Sequence, residues 1–239
     1  MQDINNKSVL ITGGSKGIGK GIASILLNKG ANVAITGRSE KAVEETALQL
    51  NNLNKGKVIG ITSDVRNPED ERAAVERVVA EWGSLDVVVA NAGIGHFGAI
   101  DELTGEQWNQ TIDTNLTGVY NTVKAAIPSL KKTEGYIITI ASLAGTNFFN
   151  GGAAYNASKF GLVGFTQAIM LDLRRYGIKV TTIMPGSVTS YFNDHQPNES
   201  DAWKIQPEDI GQMVADLLEM HPRCLPSKIE VRPTKPPKN

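Results

Sequence analysis

Cysteine and histidine are scarce in this sequence. Cys224 is the one cysteine among 239 residues, so no disulfide can form within the chain and a reducing compartment is the simpler expectation. The three histidines, His96, His195 and His221, are far apart and lack the spacing of metal ligands, so no metal site is expected. Long apolar runs are also missing, since no window reaches the roughly 18 apolar residues of a membrane span.

An excess of charge of either sign is absent too. The formal net charge is -1, and the longest basic clusters are the pairs at 131–132 and 174–175. A nucleic-acid-binding surface needs a basic patch or stripe, so nucleic acid is excluded as a partner. The N-terminus has an early acidic residue and only a short apolar run, unlike a secretory signal. We therefore expect a cytoplasmic protein that binds neither membranes nor nucleic acids.

What the sequence does have is a regular alternation of short apolar runs with longer amphipathic stretches. Such alternation predicts an α/β fold, a doubly wound parallel sheet of about seven strands with helices on both faces. The predicted strands lie at 8–12, 32–36, 57–62, 85–90, 136–140, 179–184 and 228–231. The predicted helices include 19–28, 40–53, 68–82, 105–130 and 153–175. We expect one domain over 1–231 and a flexible tail over 232–239.

The segment 186–206 has little periodicity and many polar residues. Ligands of open parallel sheets bind at the carboxyl ends of the strands, and long loops at that edge are usually functional. We therefore interpret 186–206 as a substrate lid, with a passive connection as the alternative. Aromatic side chains in and near it indicate a partly apolar pocket: Phe148, Phe149, Tyr191, Phe192 and Trp203, together with His195.

The first apolar run is followed by TGGSKGIG at 12–19 and then by a helical pattern. A strand, a glycine-rich turn and a helix N-terminus together bind phosphate, because unpaired amides and the helix dipole point at the anion. Gly13 permits the tight turn, Gly17 lets the backbone approach a pyrophosphate, and Gly19 lets the helix pack close to the strand. The motif favours dinucleotide binding over a merely flexible loop.

The motif YNASK at 155–159 places a phenol, Tyr155, one helical turn before an ammonium, Lys159. Residues four apart on a helix are about 5 to 6 Å apart at Cβ. A nearby cation favours the ionised phenol, so we expect Lys159 to lower the pKa of Tyr155 and make it a proton donor. The motif is weak by itself, because many ordinary helices contain this pair.

Further polar residues follow the other predicted strands: Asp64, the NAG motif at 91–93, Ser142 and Pro185-Gly186, with Asn115 inside the long helical pattern. In this order, with TGGSKGIG and YNASK, the chain resembles the short-chain dehydrogenase/reductase family to about residue 218. The resemblance implies a single-domain Rossmann fold and hydride transfer between a nicotinamide and a carbonyl or alcohol.

It also implies a catalytic tetrad of Asn115, Ser142, Tyr155 and Lys159. Ser142 would hold the substrate oxygen, Tyr155 would protonate it, Lys159 would bind the nicotinamide ribose, and Asn115 would seat a water. The cofactor-binding residues implied by the resemblance are Gly13, Ser15, Lys16, Gly17, Ile18, Gly19, Arg38, Ser39, Asp64, Val65, Asn91, Ala92, Gly93, Tyr155, Lys159, Pro185, Gly186, Val188 and Ser190.

The end of the second strand indicates the cofactor. NAD-selective sites carry an acidic residue about 20 residues past the glycine motif, where it binds the ribose hydroxyls. This chain has Thr36 and Gly37 there, followed by Arg38, and a guanidinium grips a 2′-phosphate. Lys16 adds a second cation. We therefore predict NADP(H).

The helix after Tyr155 is apolar or small around nearly all of its circumference, so it needs burial on more than the sheet side, and a deeply covered helix in a monomer is the alternative. The family resemblance implies pairing of this helix and the preceding long one across a dimer axis, so we predict a homodimer or homotetramer. The closest general likeness is to reductases of 3-oxoacyl groups. Acyl carrier protein is a weakly supported partner, because the C-terminal sequence departs from that subgroup. Reduction of small hydroxy-acid precursors, diketones or other carbonyls stays open. A catalytically silent nucleotide sensor is the alternative from another class, and it predicts a broken tetrad.

Overall fold

The structure is a computed structural model and describes residues 3–51 and 55–235. A seven-stranded parallel sheet forms its centre, in the order β3-β2-β1-β4-β5-β6-β7. The strands are β1 Ser8–Ile11, β2 Asn32–Gly37, β3 Val58–Thr62, β4 Val87–Ala90, β5 Tyr136–Ile140, β6 Lys179–Pro185 and β7 Lys228–Val231. The helices are α1 Gly17–Asn28, α2 Glu40–Asn51, α3 Pro68–Trp82, α4 Gly105–Ile112, α5 Gly118–Thr133, α6 Ala153–Leu173 and α7 Pro207–Glu219.

Two apolar cores lie on the two faces of this sheet. Val9 and Ile11 of β1 point into the core that α1 and α7 cover, whereas Leu10 points into the core formed with α3, α5 and α6. Alternate strand residues point to opposite faces, so a strand buried on both sides must be apolar throughout. This requirement explains the continuous Val and Ile runs of the sequence, and the predicted doubly wound fold is confirmed.

The predicted strands agree with the observed ones to within two residues. The long helical pattern at 105–130 is two helices joined by a π-helical turn, Asp113–Thr117, and the second helix continues to Thr133 with Pro128 inside it. Helix α7 was not predicted. The predicted end of the helix over 40–53 lies outside the described residues, since α2 is described to Asn51.

The predicted lid, residues 186–206, leaves the end of β6 and contains two short 3-10 turns, Phe192–Asp194 and Glu199–Asp201. Its two ends are held together, because Thr189 N donates to Ile205 O at 2.9 Å and Ile205 N donates to Ser187 O at 3.1 Å. The segment is therefore a closed loop over the carboxyl edge of the sheet.

Candidate active site

The glycine-rich turn after β1 has the backbone that the motif requires. Gly13 and Gly17 have φ of +66° and +55°, a region that side chains disfavour. Helix α1 begins at Gly17, two residues before the predicted start. A Cβ on Gly19 would lie 2.5 Å from Gly13 O, so α1 packs close to the turn only because Gly19 has no side chain. The unpaired first-turn amides of α1 fit a pyrophosphate.

Asn91, at the end of β4, holds this turn in place. Its Nδ2 donates to Thr12 O at 2.9 Å and to Gly13 O at 3.1 Å. The hydroxyl of Thr12 in turn accepts from the amides of Asn91 and Ala92, each at 3.1 Å. The NAG motif and the glycine turn are therefore one bonded unit, and Asn91 has a structural task beside its predicted position along the cofactor.

The ends of β2 and β3 form the edge where the adenosine half of a dinucleotide is predicted. Arg38 is exposed, and Ser39 Oγ accepts from Ala42 N at 3.3 Å at the start of α2. The hydrogen bonds from Arg66 hold the pKa of Asp64 below its usual value, and the positive charge of Arg38 acts in the same direction. Because its carboxylate pairs with Arg66, the adenine contact of Asp64 stays a prediction.

Val65, beside Asp64, anchors α5. Its carbonyl oxygen accepts from Asn121 Nδ2 at 2.9 Å, and a Cβ on Gly118 would lie 2.6 Å from Val65 Cγ2.

Ser142 and Tyr155 lie together at the centre of the carboxyl edge. Ser142 follows β5 and accepts a hydrogen bond from Ala144 N at 3.1 Å, which starts a short 3-10 turn. Tyr155 is in the first turn of α6, and its phenol lies beside Ser142, whose hydroxyl acts to lower the pKa of the phenol. Two hydroxyl groups therefore converge on one point, where they can bind a single substrate oxygen.

Lys159 is buried one turn further along α6. Its Nζ donates to Ile140 O at 3.1 Å and lies 5.7 Å from the centroid of the Tyr155 ring. Burial lowers the pKa of Lys159 to about 8.

The predicted lowering of the Tyr155 pKa is wrong for this structure, because burial raises it and the hydrogen bond from Ser142 only partly opposes the rise. Phe97 and Phe192 desolvate the phenol, with ring centroids 5.3 and 5.6 Å from that of Tyr155.

Asn115 lies in the π-helical turn and is fully buried. Its Oδ1 accepts from Ile94 N at 2.8 Å, and its Nδ2 donates to Ile94 O at 2.8 Å and to Ser158 Oγ at 3.0 Å. Ser158 donates onward to Tyr155 O at 2.8 Å. Asn115 thus connects the loop after β4 with the helix that carries Tyr155, and its predicted water is untested.

Two cavities meet at Ser142 and Tyr155. The first cavity has a volume of about 300 Å³. It is lined by Ile18 of the glycine turn and by four predicted cofactor-binding residues from the lid and the end of β6. These four are Pro185, Gly186, Val188 and Ser190. The second, of about 470 Å³, extends toward Leu143, Phe148, Phe149 and Arg232. A carbonyl bound by the two hydroxyl groups would thus lie between a cofactor cavity and a substrate cavity.

Two side chains of the lid bind one buried carboxylate of the same segment. Asp201 is buried and accepts from His195 Nε2 at 2.6 Å and from Lys204 Nζ at 2.5 Å. The hydrogen bond from Lys204, followed by that from His195, lowers the pKa of Asp201. His195 and Lys204 also line the first cavity, so this cluster connects lid closure to the cofactor side.

Lys16 and Gly17 of the glycine turn also reach the lid. Lys16 Nζ lies 5.9 Å from the centroid of the Tyr191 ring, and a Cβ on Gly17 would lie 3.4 Å from Ser190 Cβ.

Sequence reasoning missed Phe97 and Arg232. Phe97 follows the NAG motif closely and contacts the rings of Tyr155, Phe149 and Phe192. Arg232 lines the second cavity, although its sequence neighbourhood predicted a flexible tail. The proximity of Phe97 to a strand end was a signal for it, whereas the Pro- and Lys-rich composition after 231 concealed Arg232.

The part of the chain that the structure describes contains neither a metal-binding cluster nor a membrane-spanning helix. No cluster of three His, Cys, Asp or Glu side chains there could hold a metal ion. None of the described helices has the length and apolar character needed to cross a membrane.

The crevice at the carboxyl edge, with its glycine turn and paired hydroxyl groups, is that of a dinucleotide-binding oxidoreductase. The chain belongs to the short chain dehydrogenase family, whose model matches residues 7–201.

Relatives agree with this assignment. A 3-oxoacyl-[acyl-carrier-protein] reductase of Chlamydia muridarum is 37% identical over 81% of this chain and 80% of its own. An uncharacterized oxidoreductase of Staphylococcus saprophyticus is 32% identical over 98% of this chain and 100% of its own.

Solved structures are similar over nearly the whole length. An alcohol dehydrogenase of Thermococcus sibiricus, complexed with 5-hydroxy-NADP, superposes with a TM-score of 0.91 at 28% identity and covers 98% of this chain and 100% of its own. A short chain dehydrogenase of Burkholderia cenocepacia in complex with NADP has a TM-score of 0.87 at 31% identity, with 97% and 98% covered.

Proposed function

We propose that the protein is an NADP(H)-dependent reductase that converts a ketone or 3-oxoacyl carbonyl to an alcohol, with Tyr155 as the general acid. The observation that carries the proposal is that the hydroxyl-bearing residues Ser142 and Tyr155 together line both cavities, at the junction between them. Groups that stabilise a developing oxyanion must be hydrogen-bond donors that reach the same carbonyl oxygen, and two neighbouring hydroxyl groups meet this requirement.

The reaction requires little from the protein beyond positioning and proton transfer. NADPH, when bound, would supply the hydride that forms the new C–H bond at the carbonyl carbon, and the C=O π electrons would move to the oxygen. Ser142 donates a hydrogen bond to that oxygen, and Tyr155 transfers its phenolic proton to it. Because burial keeps Tyr155 protonated, the phenol is ready to act as an acid in the reductive direction.

Lys159 and Asn115 support the phenol. The ammonium of Lys159 stabilises the phenolate left after proton transfer, since its Nζ is buried and lies 5.7 Å from the centroid of the Tyr155 ring. By family resemblance it also binds the nicotinamide ribose. Asn115 connects the loop after β4 to helix α6, because its side-chain amide donates hydrogen bonds to Ile94 O and to Ser158 Oγ. By family resemblance, Asn115 also binds the water that returns the proton to Tyr155.

The choice of NADP(H) rests on the end of β2. Arg38 is exposed there, and its charge reaches Asp64. A Cβ on Gly37 would lie 3.5 Å from Ser15 Oγ, so the glycine turn and Arg38 border the same space. The absence of an acidic residue at this strand end and the presence of a guanidinium fit a 2′-phosphate. Complexes of the solved relatives with NADP agree with this choice.

The site restricts the identity of the substrate less than it restricts the choice of cofactor. Two relatives are 3-oxoacyl-[acyl-carrier-protein] reductases, and each covers 81% of this chain. Reduction of diketones or of the oxo precursors of small hydroxy acids is the second candidate, supported by the aromatic second cavity of about 470 Å³. A pocket of that size holds a small molecule.

A homodimer or homotetramer is the expected assembly. Tyr120 on α5 and Phe160 and Leu171 on α6 are 49%, 42% and 57% exposed, which leaves large apolar side chains uncovered on neighbouring helices. Light scattering at micromolar concentration should give a mass of at least two chains, and the mass of one chain would contradict the assembly.

NADPH oxidation over a panel of ketones, diketones and 3-oxoacyl thioesters tests the function. Tyr155→Phe should lower turnover by about 10²- to 10⁴-fold, the usual contribution of a general acid. It should still bind NADPH in a fluorescence titration. Tyr176→Phe is the matched control, because that tyrosine lies beyond α6 at the surface. Full turnover by Tyr155→Phe would remove Tyr155 from its role, and NADPH binding without turnover of any carbonyl would favour the silent sensor.

A further inference from the structure

The second cavity contains one charged side chain among the described residues that line it, Arg232. Its other walls are uncharged and largely apolar, with Leu143, Phe148 and Phe149 opposite the hydroxyl groups of Ser142 and Tyr155. A lone guanidinium in such surroundings is a strong feature for selecting a substrate, because nothing else in the cavity can balance an anion.

The fold places Arg232 there through the pairing of β6 with β7. Pro185 and Val231 are partners in the register, and Gly186 N donates to Val231 O at 2.8 Å. A Cβ on Gly186 would lie 3.3 Å from Pro233 Cδ and 3.4 Å from Val231 O, so the residues on both sides of Arg232 lie beside Gly186. Gly186 lines both cavities. Arg232 lies beyond residues 7–201, the range that the family model matches.

Arg232 already binds a carboxylate in this structure. Its Nη1 donates to Glu230 Oε2 at 2.8 Å, while the side chain stays 54% exposed. This bond engages one of the two terminal nitrogens of the guanidinium. An ion pair at such exposure contributes about 0 to 1 kcal/mol, so it is easily exchanged. A ligand carboxylate can accept two parallel hydrogen bonds from an arginine, which is the stronger arrangement.

We propose that Arg232 binds a carboxylate of the substrate, which makes the substrate an oxo acid and the product a hydroxy acid. The proposal rests on the reductase activity proposed above. Ser142 and Tyr155 bind the carbonyl oxygen, Phe148 and Phe149 cover the carbon chain, and Arg232 exchanges Glu230 for the carboxylate. Arg232 does not touch the reacting atoms, so its contribution is the same in the ground state and the transition state and falls mainly on KM.

The experiment compares straight-chain oxo acids, from 2-oxo to 5-oxo, with their methyl esters, using kcat/KM and saturating NADPH. The wild-type protein should prefer at least one acid over its ester by about tenfold or more, which corresponds to about 1.4 kcal/mol. In Arg232→Ala this ratio should fall toward one through KM. Glu230→Gln, which removes the competing carboxylate, should raise the ratio. Arg223→Ala, an equal change of charge at an exposed position outside the cavity, should keep the wild-type ratio.

A binding measurement separates this proposal from the reductase proposal. Straight-chain carboxylates of four to eight carbon atoms and the matching primary amides are titrated into the complex of the protein with NADP⁺. The acids should bind about tenfold more tightly than the amides, and Arg232→Ala should abolish the difference. If esters and neutral ketones are reduced but acids have no advantage in either measurement, the carboxylate subsite is wrong and the reductase stands. If acids bind through Arg232 but no carbonyl is reduced, the reductase is wrong and the anion site stands.

Discussion

Lys159 Nζ lies 5.7 Å from the centroid of the Tyr155 ring and donates its hydrogen bond to the carbonyl of Ile140. The ammonium therefore lies beside the phenol ring, and its hydrogen bond is accepted by a backbone carbonyl at the end of β5. Burial of both side chains has opposite effects on their pKa values, because it disfavours phenolate and ammonium alike: the pKa of Tyr155 rises and that of Lys159 falls to about 8. In the cofactor-free protein both groups are thus shifted toward their neutral forms.

The first prediction is a loss of reductase activity as Lys159 loses its proton. The pKa of Lys159 is about 8, whereas that of Tyr155 is raised above its ordinary value. The value of kcat/KM for NADPH, which reports the free enzyme, should therefore decline above about pH 8. Lys159→Arg should move the decline to higher pH, because a guanidinium stays charged. A profile that is flat to pH 10 in the wild-type protein would contradict this assignment.

The second prediction concerns stability. Lowering the pKa of Lys159 from 10.5 to about 8 corresponds to roughly 3 kcal/mol against folding. Both states are protonated below pH 8, so the full penalty applies there, and it disappears as the pH rises to 10.5.

Lys159→Met should thus raise the free energy of unfolding at pH 7 by about 2 kcal/mol, after loss of the bond to Ile140, while abolishing turnover. Urea unfolding at pH 7 and pH 10 measures the effect, and Lys124→Met is the exposed control. An equal change in the free energy of unfolding for both variants would refute the predicted cost of burying Lys159.

Glu71 carries the third prediction. It is fully buried, and burial raises its pKa. Ser63 Oγ lies 2.6 Å from Oε1 and Thr122 Oγ1 lies 2.5 Å from Oε2, yet Thr122 Oγ1 is also 3.0 Å from Gly118 O. Thr122 has one hydroxyl hydrogen, so both contacts are satisfied together only when Glu71 is protonated and donates to Thr122.

Because the folded-state pKa is raised, the stability contributed by Glu71 is present below its unfolded pKa and is lost as the pH rises through the folded value. Glu71→Gln should therefore become more stable relative to the wild-type protein between pH 4 and pH 8. Urea unfolding across this range is the measurement. Glu76→Gln, exposed on the same helix, should show no such trend; a shared trend would argue against the buried proton.

The fourth prediction tests the close packing of α1. A Cβ on Gly19 would lie 2.5 Å from Gly13 O and 2.6 Å from Asn91 Nδ2. Gly19→Ala should lower stability by about 1 to 3 kcal/mol and weaken NADPH binding, because the turn must move. At Gly105, at the start of α4, a Cβ would meet no described atom within 4 Å. Gly105→Ala is the control and should keep the wild-type stability to within about 1 kcal/mol, together with the wild-type affinity for NADPH. Unchanged NADPH affinity in Gly19→Ala would mean that the turn does not hold the phosphate.

The fifth prediction concerns cofactor choice. Arg38→Glu places a carboxylate at the end of β2, where it repels a 2′-phosphate and can bind ribose hydroxyls. The KM for NADPH should rise by about tenfold or more, while that for NADH should fall. Arg77→Glu on the exposed face of α3 controls for the change in net charge. Equal or better use of NADH by the wild-type protein would overturn the NADP(H) proposal.

The sheet was predictable because each strand is buried on both faces and must be apolar along its whole length. The proximity of Tyr155 to Lys159 was predictable as well, since residues four apart on a helix lie on the same face. The effect on the Tyr155 pKa was not, because it depends on Phe97 and Phe192, which come from distant loops. The π-helical turn at Asn115 also has no signature in hydrophobic periodicity. The position of Arg232 in the second cavity was not predictable from the sequence, because only the pairing of β7 with β6 brings it close to Gly186.

The pairing of β7 with β6 has a consequence for how this enzyme can be altered. The segment at 228–235 follows the last helix and contributes Arg232 to the second cavity, without contributing to the glycine turn or to the Ser142 and Tyr155 pair. Replacing this segment alone would therefore change one wall of that cavity and leave the remaining lining residues in place.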